Sequence, residues 1–216
     1  MLVLTLAMAA PSRAGDAAKV TFSLDFPGSQ PERYSIAVDA QGHSRFECSA
    51  RISADSDERE NYQLEFEITP ANRTRIFELA AQAHYFSGKV DSGNRKLAFT
   101  GAKKLVYRDG ERNSSATYNY SNVAAVSQLT ALFQRMASTL DYGRRLVYYH
   151  RYQKLALDEE LKRMESQAKS NDLSELQAVA PALQAIIDDS SVINLVRSRA
   201  QRLLEMGKAG DSSASR

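Results

Sequence analysis

Cysteine and tryptophan are the residue types that this chain has least of: its 216 residues include one cysteine and no tryptophan. A single thiol excludes an intramolecular disulfide. That thiol, Cys48, lies in an alternating segment in which Phe46 and Ile52 share its side and polar residues take the other. We therefore expect a buried core thiol, because a cysteine nucleophile needs an electropositive and partly open setting.

A strong charge of either sign is also missing. The 28 Lys and Arg residues nearly balance the 26 Asp and Glu residues, for a formal net charge of +2. A charge this small gives no reason to expect a nucleic-acid binder. Apolar residues make up 43% of the chain and charged residues 25%, which is typical of a folded soluble protein and too apolar for general disorder.

The apolar run at the N-terminus, residues 2–10, is far shorter than the roughly 20 residues that a membrane-spanning helix needs. Ser12 and Ala14 follow it in a small-x-small arrangement that is typical of a signal-peptide cleavage site. We therefore expect residues 1–14 to be a secretory signal peptide and the mature protein to be soluble and exported, either periplasmic or secreted. No Lys or Arg precedes the run, which leaves the true start codon open.

The clearest structural signal lies in residues 62–86, where the period of the apolar residues changes. Alternation with polar residues predicts a strand with one buried face over Tyr62, Leu64, Phe66 and Ile68. Thr69 then suits a helix N-cap and Pro70 a first helical position. The apolar residues after Pro70 recur at helical spacing, so the strand leads directly into an amphipathic helix.

Similar alternation predicts three strands before this segment, and a hairpin with an Asp109-Gly110 turn after it. Helical periodicity follows the hairpin over residues 122–140. The predicted fold class is therefore α+β, with an antiparallel sheet (a strand meander and a hairpin) packed on two amphipathic helices. We assign this sheet-and-helix domain to residues 19–140.

The rest of the chain is predicted to be helical, with a helical extension over residues 141–206 and a disordered polar tail over residues 207–216. An apolar heptad register continues from Val126 to Ala168, but Gly143, His150 and Lys154 interrupt it. These interruptions favour a kink or break near residues 141–143 over a continuous coiled coil.

Two further signals divide the extension. Asp172 and Glu175 resemble a capping box at the start of a helix. Pro181 falls inside the apolar pattern that follows, so we expect a kink there. The apolar stripes of the extension need a partner, which is either the long helix or a second subunit, so a homodimer through this region stays open.

Catalytic and cofactor-binding patterns are scarce. His43, His84 and His150 do not lie at metal-ligand spacing, and the scattered glycines form neither a phosphate-binding loop nor a nucleophile elbow. We expect no metal, no other cofactor and no catalytic residues. The paired carboxylates Glu65 and Glu67, and the acidic residues 158–160, are interpreted as solvated surface charge.

One segment does resemble a binding site, because basic residues and tyrosines interleave along residues 144–154. Such a helix face can hold a polyanion or a glycan by charge and stacking. The same composition also arises where tyrosines pack inward and arginines remain in water. The candidate site residues for an anionic polymer, glycan or protein partner are Arg144, Arg145, Tyr148, Tyr149, Arg151, Tyr152 and Lys154.

Together these patterns favour a non-catalytic exported binding or assembly module that acts through protein–protein contacts. The alternative is a cell-envelope enzyme or hydrolase inhibitor whose site is assembled from distant residues. We expect a protein partner, with an anionic polymer or glycan as a second option, and neither nucleic acid nor a membrane span.

Overall fold

The computed structural model describes residues 17–52 and 56–213, and within them the backbone forms a six-stranded sheet followed by a helical C-terminal region. Every pair of neighbouring strands is antiparallel. The predicted α+β class is therefore confirmed. From one edge of the sheet to the other, the strands are β4 (Arg59–Glu67), β3 (His43–Arg51), β2 (Arg33–Asp39), β1 (Lys19–Asp25), β5 (Ala102–Arg108) and β6 (Asn113–Tyr118).

The described helices begin directly after β4 and continue after β6. None of them is both long and apolar enough to cross a membrane. Short 3-10 turns lie at His84–Phe86, Lys154–Ala156 and Leu176–Val179. The α-helices are α1 (Pro70–Gln82), α2 (Ala124–Tyr152), α3 (Leu157–Lys169), α4 (Ala180–Asp188) and α5 (Asn194–Ser213). Residues 1–14, where we expect the signal peptide, lie outside the described residues.

One face of the sheet is apolar and packs on helices, and the other is polar. Phe22, Ile36 and Leu105 lie opposite one another on β1, β2 and β5 and are fully buried. The ring of Phe22 stacks on Phe133 of α2 with a centroid distance of 5.3 Å. On the other face, residues such as Ser23 remain partly exposed. Alternating apolar and polar residues produce this division, because successive side chains of a strand point to opposite faces.

The predicted passage from strand to helix at residues 62–86 is confirmed. Thr69 precedes α1, and its hydroxyl accepts a hydrogen bond from Asn72 N at 3.4 Å. Pro70 is the first residue of the helix, where it removes no intrahelical hydrogen bond. Because β4 is an edge strand, its inward side chains are only half-buried: Tyr62, Leu64 and Phe66.

Helix α2 is continuous where the sequence favoured a kink or break. Its turns run through residues 141–143 and end at Tyr152. Gly143 lies against Val179, and a Cβ atom at position 143 would collide with Val179 Cγ1. The glycine therefore allows a close contact between the two segments. The boundary that we expected between residues 140 and 141 lies inside α2.

The C-terminal region corrects three further expectations. Glu175 does not form a capping box, since it has a left-handed φ of 64° and its carboxylate binds Thr69 and Asn72 of the α1 N-terminus. Pro181 is the second residue of α4 and lies in its first turn, where its fixed φ is compatible with the helix. Helix α5 continues to Ser213, so residues 207–213 are helical where we expected a disordered tail.

Candidate functional site

Arg144 and Arg145, the first two candidate site residues, point into the protein. The side chain of Arg144 is 1% exposed, and it donates from Nε to Asp141 Oδ1 at 2.9 Å and from Nη1 to Glu60 Oε1 at 2.8 Å. Arg145 donates from Nε to Glu160 Oε1 at 2.5 Å. It also pairs with the second oxygen of Asp141. The two arginines thus belong to a buried ion cluster that joins β4, α2 and α3.

This buried ion cluster follows from the cost of placing charge in a low-dielectric interior, where an ion must be paired and hydrogen-bonded. Glu160 is buried as well, so it does not belong to the solvated surface charge that we expected for residues 158–160. With their donors directed inward, Arg144 and Arg145 cannot form the outward basic surface that the sequence suggested.

The tyrosines of the segment are divided between core and surface. Tyr149 is buried and Tyr148 half-buried, and their rings lie 5.7 Å apart between centroids. Tyr152 is 62% exposed. The guanidinium of Arg151 lies over its ring, 5.2 Å from the centroid. Within residues 144–154, all of which the structure describes, only Tyr152 and Arg151 therefore keep the outward pairing of an aromatic ring with a cation.

Lys154 reaches across to the loop between α4 and α5. Its ammonium donates to Asp189 Oδ2 at 2.6 Å and to Ser191 Oγ at 2.6 Å. Asp189 Oδ2 also lies 2.9 Å from His150 Nε2. The hydrogen bond from Lys154, followed by those from Ser191, lowers the pKa of the Asp189 carboxyl. Asp189 is therefore a stable anion that holds the end of α2 against the end of α4.

These residues line a groove between the C-terminal end of α2 and helix α4, which we call the α2–α4 groove. Its cavity volume is about 570 Å³. Val147, which lines it, is 51% exposed. The lining residues are Val147, His150, Arg151, Lys154, Pro181, Ala182, Ala185 and Asp189. The lining thus combines aliphatic side chains, which we call the floor of the groove, with the cations of Arg151 and Lys154 and the carboxylate of Asp189.

Exposed apolar side chains continue beyond the α2–α4 groove. Leu155, one residue after Lys154, is 99% exposed. Ile193 and Leu195 follow Ser191 and are 64% and 52% exposed. Because large apolar side chains are rarely left in water in a group unless they bind something, this end of the helical region is the strongest candidate contact surface of the described chain.

The polar face of the sheet forms a second, larger groove with a cavity volume of about 710 Å³. Small side chains such as Ser23 and Ser35, which lie opposite each other, form its floor. The acidic residues that line it pair with arginines, as in Asp25 with Arg33 at 2.9 Å, while Lys103 and Lys104 form no ion pair with a carboxylate of the described residues. A polar face of this kind is what an antiparallel sheet commonly presents to water.

Cys48 lies in the core, and His43 and His84 lie at the surface. Cys48 is buried and desolvation raises the pKa of its thiol to about 11, which confirms the expectation of an inert core position. His43 lies on the surface between Asp39 and Glu67, at 3.2 and 3.6 Å, and His84 is exposed. Among the described residues, no group of three His, Cys, Asp or Glu side chains is placed to hold a metal ion.

The contact between Lys154 and Ser191 resembles a serine–lysine pair, but its surroundings oppose catalysis. A lysine that activates a serine must be neutral to accept its proton. Lys154 instead donates to both the Asp189 carboxylate and the Ser191 hydroxyl oxygen, at 2.6 Å each. Ser191 also donates its own hydroxyl proton to Asp189 at 2.7 Å. The pair therefore anchors the loop.

Fold and surface together define an α+β protein with a six-stranded antiparallel sheet, a helical C-terminal region and an apolar-floored groove in that region. No family model matches the chain, and neither the curated proteins nor the solved structures contain a significant match.

Proposed function

We propose that this protein is a non-catalytic binding module whose protein partner occupies the α2–α4 groove. The observation that carries the proposal is the exposed aliphatic floor at Val147 beside the cation of Arg151. A partner segment with an apolar side and an acidic rim complements both features.

The charge of the α2–α4 groove favours a protein as its binding partner over an anionic polymer. His150 and Lys154 already share the carboxylate of Asp189, and within residues 17–52 and 56–213 the guanidinium of Arg151 forms no ion pair with a carboxylate. A polyanion binds through many unpaired cations. An apolar floor, in contrast, contributes about 25 cal/mol for each Å² that a partner removes from water.

The proposal includes export, for which the support is the signal-peptide pattern of residues 1–14. An exported binding module acts outside the cytoplasm, so its partner is an envelope or extracellular protein. Cleavage after Ala14 would leave all the described residues in the mature chain.

The test uses the partner that the wild-type chain retains from an envelope fraction, once that partner has been identified and purified. Its dissociation constant is measured by calorimetry for the wild type, Val147→Asp and Arg151→Glu. Matched controls are Leu97→Asp and Arg95→Glu, which change an exposed apolar and an exposed basic residue elsewhere. We expect at least about a tenfold loss for each groove variant, equivalent to about 1.4 kcal/mol, and unchanged binding for the controls.

Equal binding by Val147→Asp and the wild type would overturn the proposal, as would equal losses in the groove and control variants. Thermal unfolding of each variant separates lost contacts from lost folding. If the partner is a second copy of this chain, light scattering will show a dimer for the wild type that Val147→Asp converts to a monomer.

A further inference from the structure

The two edges of the sheet differ in their protection against additional strands. The edge strand β4 carries several charged residues, including Arg59, Glu65 and Glu67. Charged residues on an edge strand discourage pairing with another chain. The opposite edge strand, β6, has the sequence NSSATY, which contains no charge and no proline. One edge of the sheet is therefore protected and the other is not.

The outer backbone groups of β6 have no partner among the described residues. The backbone hydrogen bonds of residues 113–118 are those of the ladder with β5. The nearby 3-10 turn His84–Phe86 contacts β6 through the hydroxyl of Ser114, which donates to Tyr85 O. Ser114 points to the helix-covered face, like Tyr107 opposite it, whose ring lies 4.6 Å from that of Tyr85. The turn therefore packs under the face of β6 and leaves its outer edge open.

The side chains around this edge restrict what can pair with it. On the helix-covered face, Ala116 is half-buried beside the core. On the open face, Asn113 and Thr117 pair in register with Arg108 and Lys104 of β5. Both of these β5 cations are exposed, and neither forms an ion pair with a carboxylate of the described chain. The edge thus has an apolar side and a cationic side.

From this arrangement we infer that an extended segment of a partner protein, with alternating apolar and acidic residues, pairs with β6 as a seventh strand. Strand addition satisfies the outer amide and carbonyl groups, and alternate pockets select the side chains. Apolar residues of the segment face Ala116 and the Tyr85 turn. Acidic residues face Lys104 and Arg108, which lie two strand spacings, about 10 Å, from the added strand.

The probe is a fluorescent hexapeptide of alternating valine and glutamate, whose binding is followed by anisotropy. Two derivatives carry N-methyl groups on either the odd or the even amides. In an extended strand, alternate amides point to opposite edges, so strand addition requires that one derivative loses binding and the other keeps it. Equal binding by both derivatives would indicate charge attraction alone and would overturn the inference.

Variants of the protein test whether the peptide binds at the β6 edge. We expect Lys104→Glu and Arg108→Glu each to weaken binding about tenfold or more, and Lys162→Glu, on exposed α3 surface, to leave it unchanged. Val147→Asp should also have no effect, so the outcome is separate from that of the groove proposal. Absence of peptide binding to the wild type, or a doubled mass by light scattering that Ala116→Pro abolishes, would contradict the inference. The second result would assign the edge to another copy of this chain.

Discussion

The carboxylate of Glu175 caps helix α1 at Thr69, although the two residues are 106 positions apart. Thr69 donates to it from its backbone N at 2.9 Å and from its hydroxyl at 2.8 Å. Asn72 donates a third hydrogen bond from its side chain, at 2.5 Å. A negative charge at a helix N-terminus satisfies unpaired amides and opposes the positive end of the helix dipole. The turn between β4 and α1 is thus held by the C-terminal region.

Removing the charge of Glu175 should destabilise the protein. Glu175→Gln replaces an acceptor-only carboxylate with an amide whose NH₂ faces donors on Thr69 and Asn72. We expect a loss of about 1–3 kcal/mol in the free energy of unfolding, measured by urea denaturation. The matched control is Glu205→Gln, since Glu205 is exposed and accepts from Gln201. An equal and small change in both variants would show that the cap contributes no stability.

Gly143→Ala should destabilise α2 in spite of the better helix propensity of alanine. The added methyl group collides with Val179 Cγ1, and overpacking commonly costs about 1–3 kcal/mol, more than the roughly 1 kcal/mol that alanine gains over glycine in a helix. The double variant Gly143→Ala/Val179→Ala makes room for the methyl group. We expect Gly143→Ala to lower the free energy of unfolding less in the Val179→Ala background than in the wild type. Chemical denaturation of the four proteins measures both differences.

Asp141→Asn tests the buried ion cluster, because Asp141 pairs with both Arg144 and Arg145. Neutralising it leaves buried cations with too little negative charge, and we expect a loss of about 3–5 kcal/mol in unfolding free energy. Asp188→Asn is the surface control, since Asp188 is exposed and accepts from Gln184. Replacing Asp141, Arg144, Arg145 and the buried Glu160 together with apolar residues should cost less than Asp141→Asn alone.

The stability that Glu165 contributes should depend on pH. Hydrogen bonds from Arg202, then from Lys169, lower the pKa of its carboxyl from 4.5 to about 2. A folded-state pKa below the unfolded value stabilises the protein above the unfolded pKa, and this contribution disappears as the pH falls. The unfolding free energies of the wild type and Glu165→Gln should therefore differ most above pH 4.5 and converge toward about pH 2.

The control for this series is Glu78→Gln, which changes an exposed carboxylate on α1. Its difference from the wild type should stay small at every pH, because exposed ion pairs contribute little. A difference between wild type and Glu165→Gln that stays constant from pH 6 to about pH 2 would contradict the assignment.

Local patterns predicted much of the fold, because the spacing of apolar residues within a segment indicates whether it forms a strand or a helix. The strand ending at Ile68 and the helix beginning at Pro70 are examples. The order of the strands was not predictable in this way, since β5 pairs with the central strand β1 and no local pattern encodes that partner. Gly143 was misinterpreted as a sign of a kink. A glycine fits there because Val179, on a different segment, leaves no room for a Cβ atom.

The candidate site was harder to predict, because composition does not reveal where a charged side chain finds its partner. Arg144 has a partner in Glu60, 84 positions earlier, which makes a basic segment partly internal. Asp189 lies 39 positions after His150 and shows no local signal as its partner. Arg151, Tyr152 and Lys154 do lie at the surface as expected. Their role in binding stays a prediction.

The place of α2 in the chain has a consequence for synthesis on the ribosome. All six strands of the described residues precede it, so the apolar face that Phe133 covers is complete before α2 has been translated. Unfinished chains with exposed strands are prone to aggregation. A nascent chain that pauses before residue 124 therefore exposes that face to its surroundings. The face is covered only after α2 has been translated and has left the ribosome.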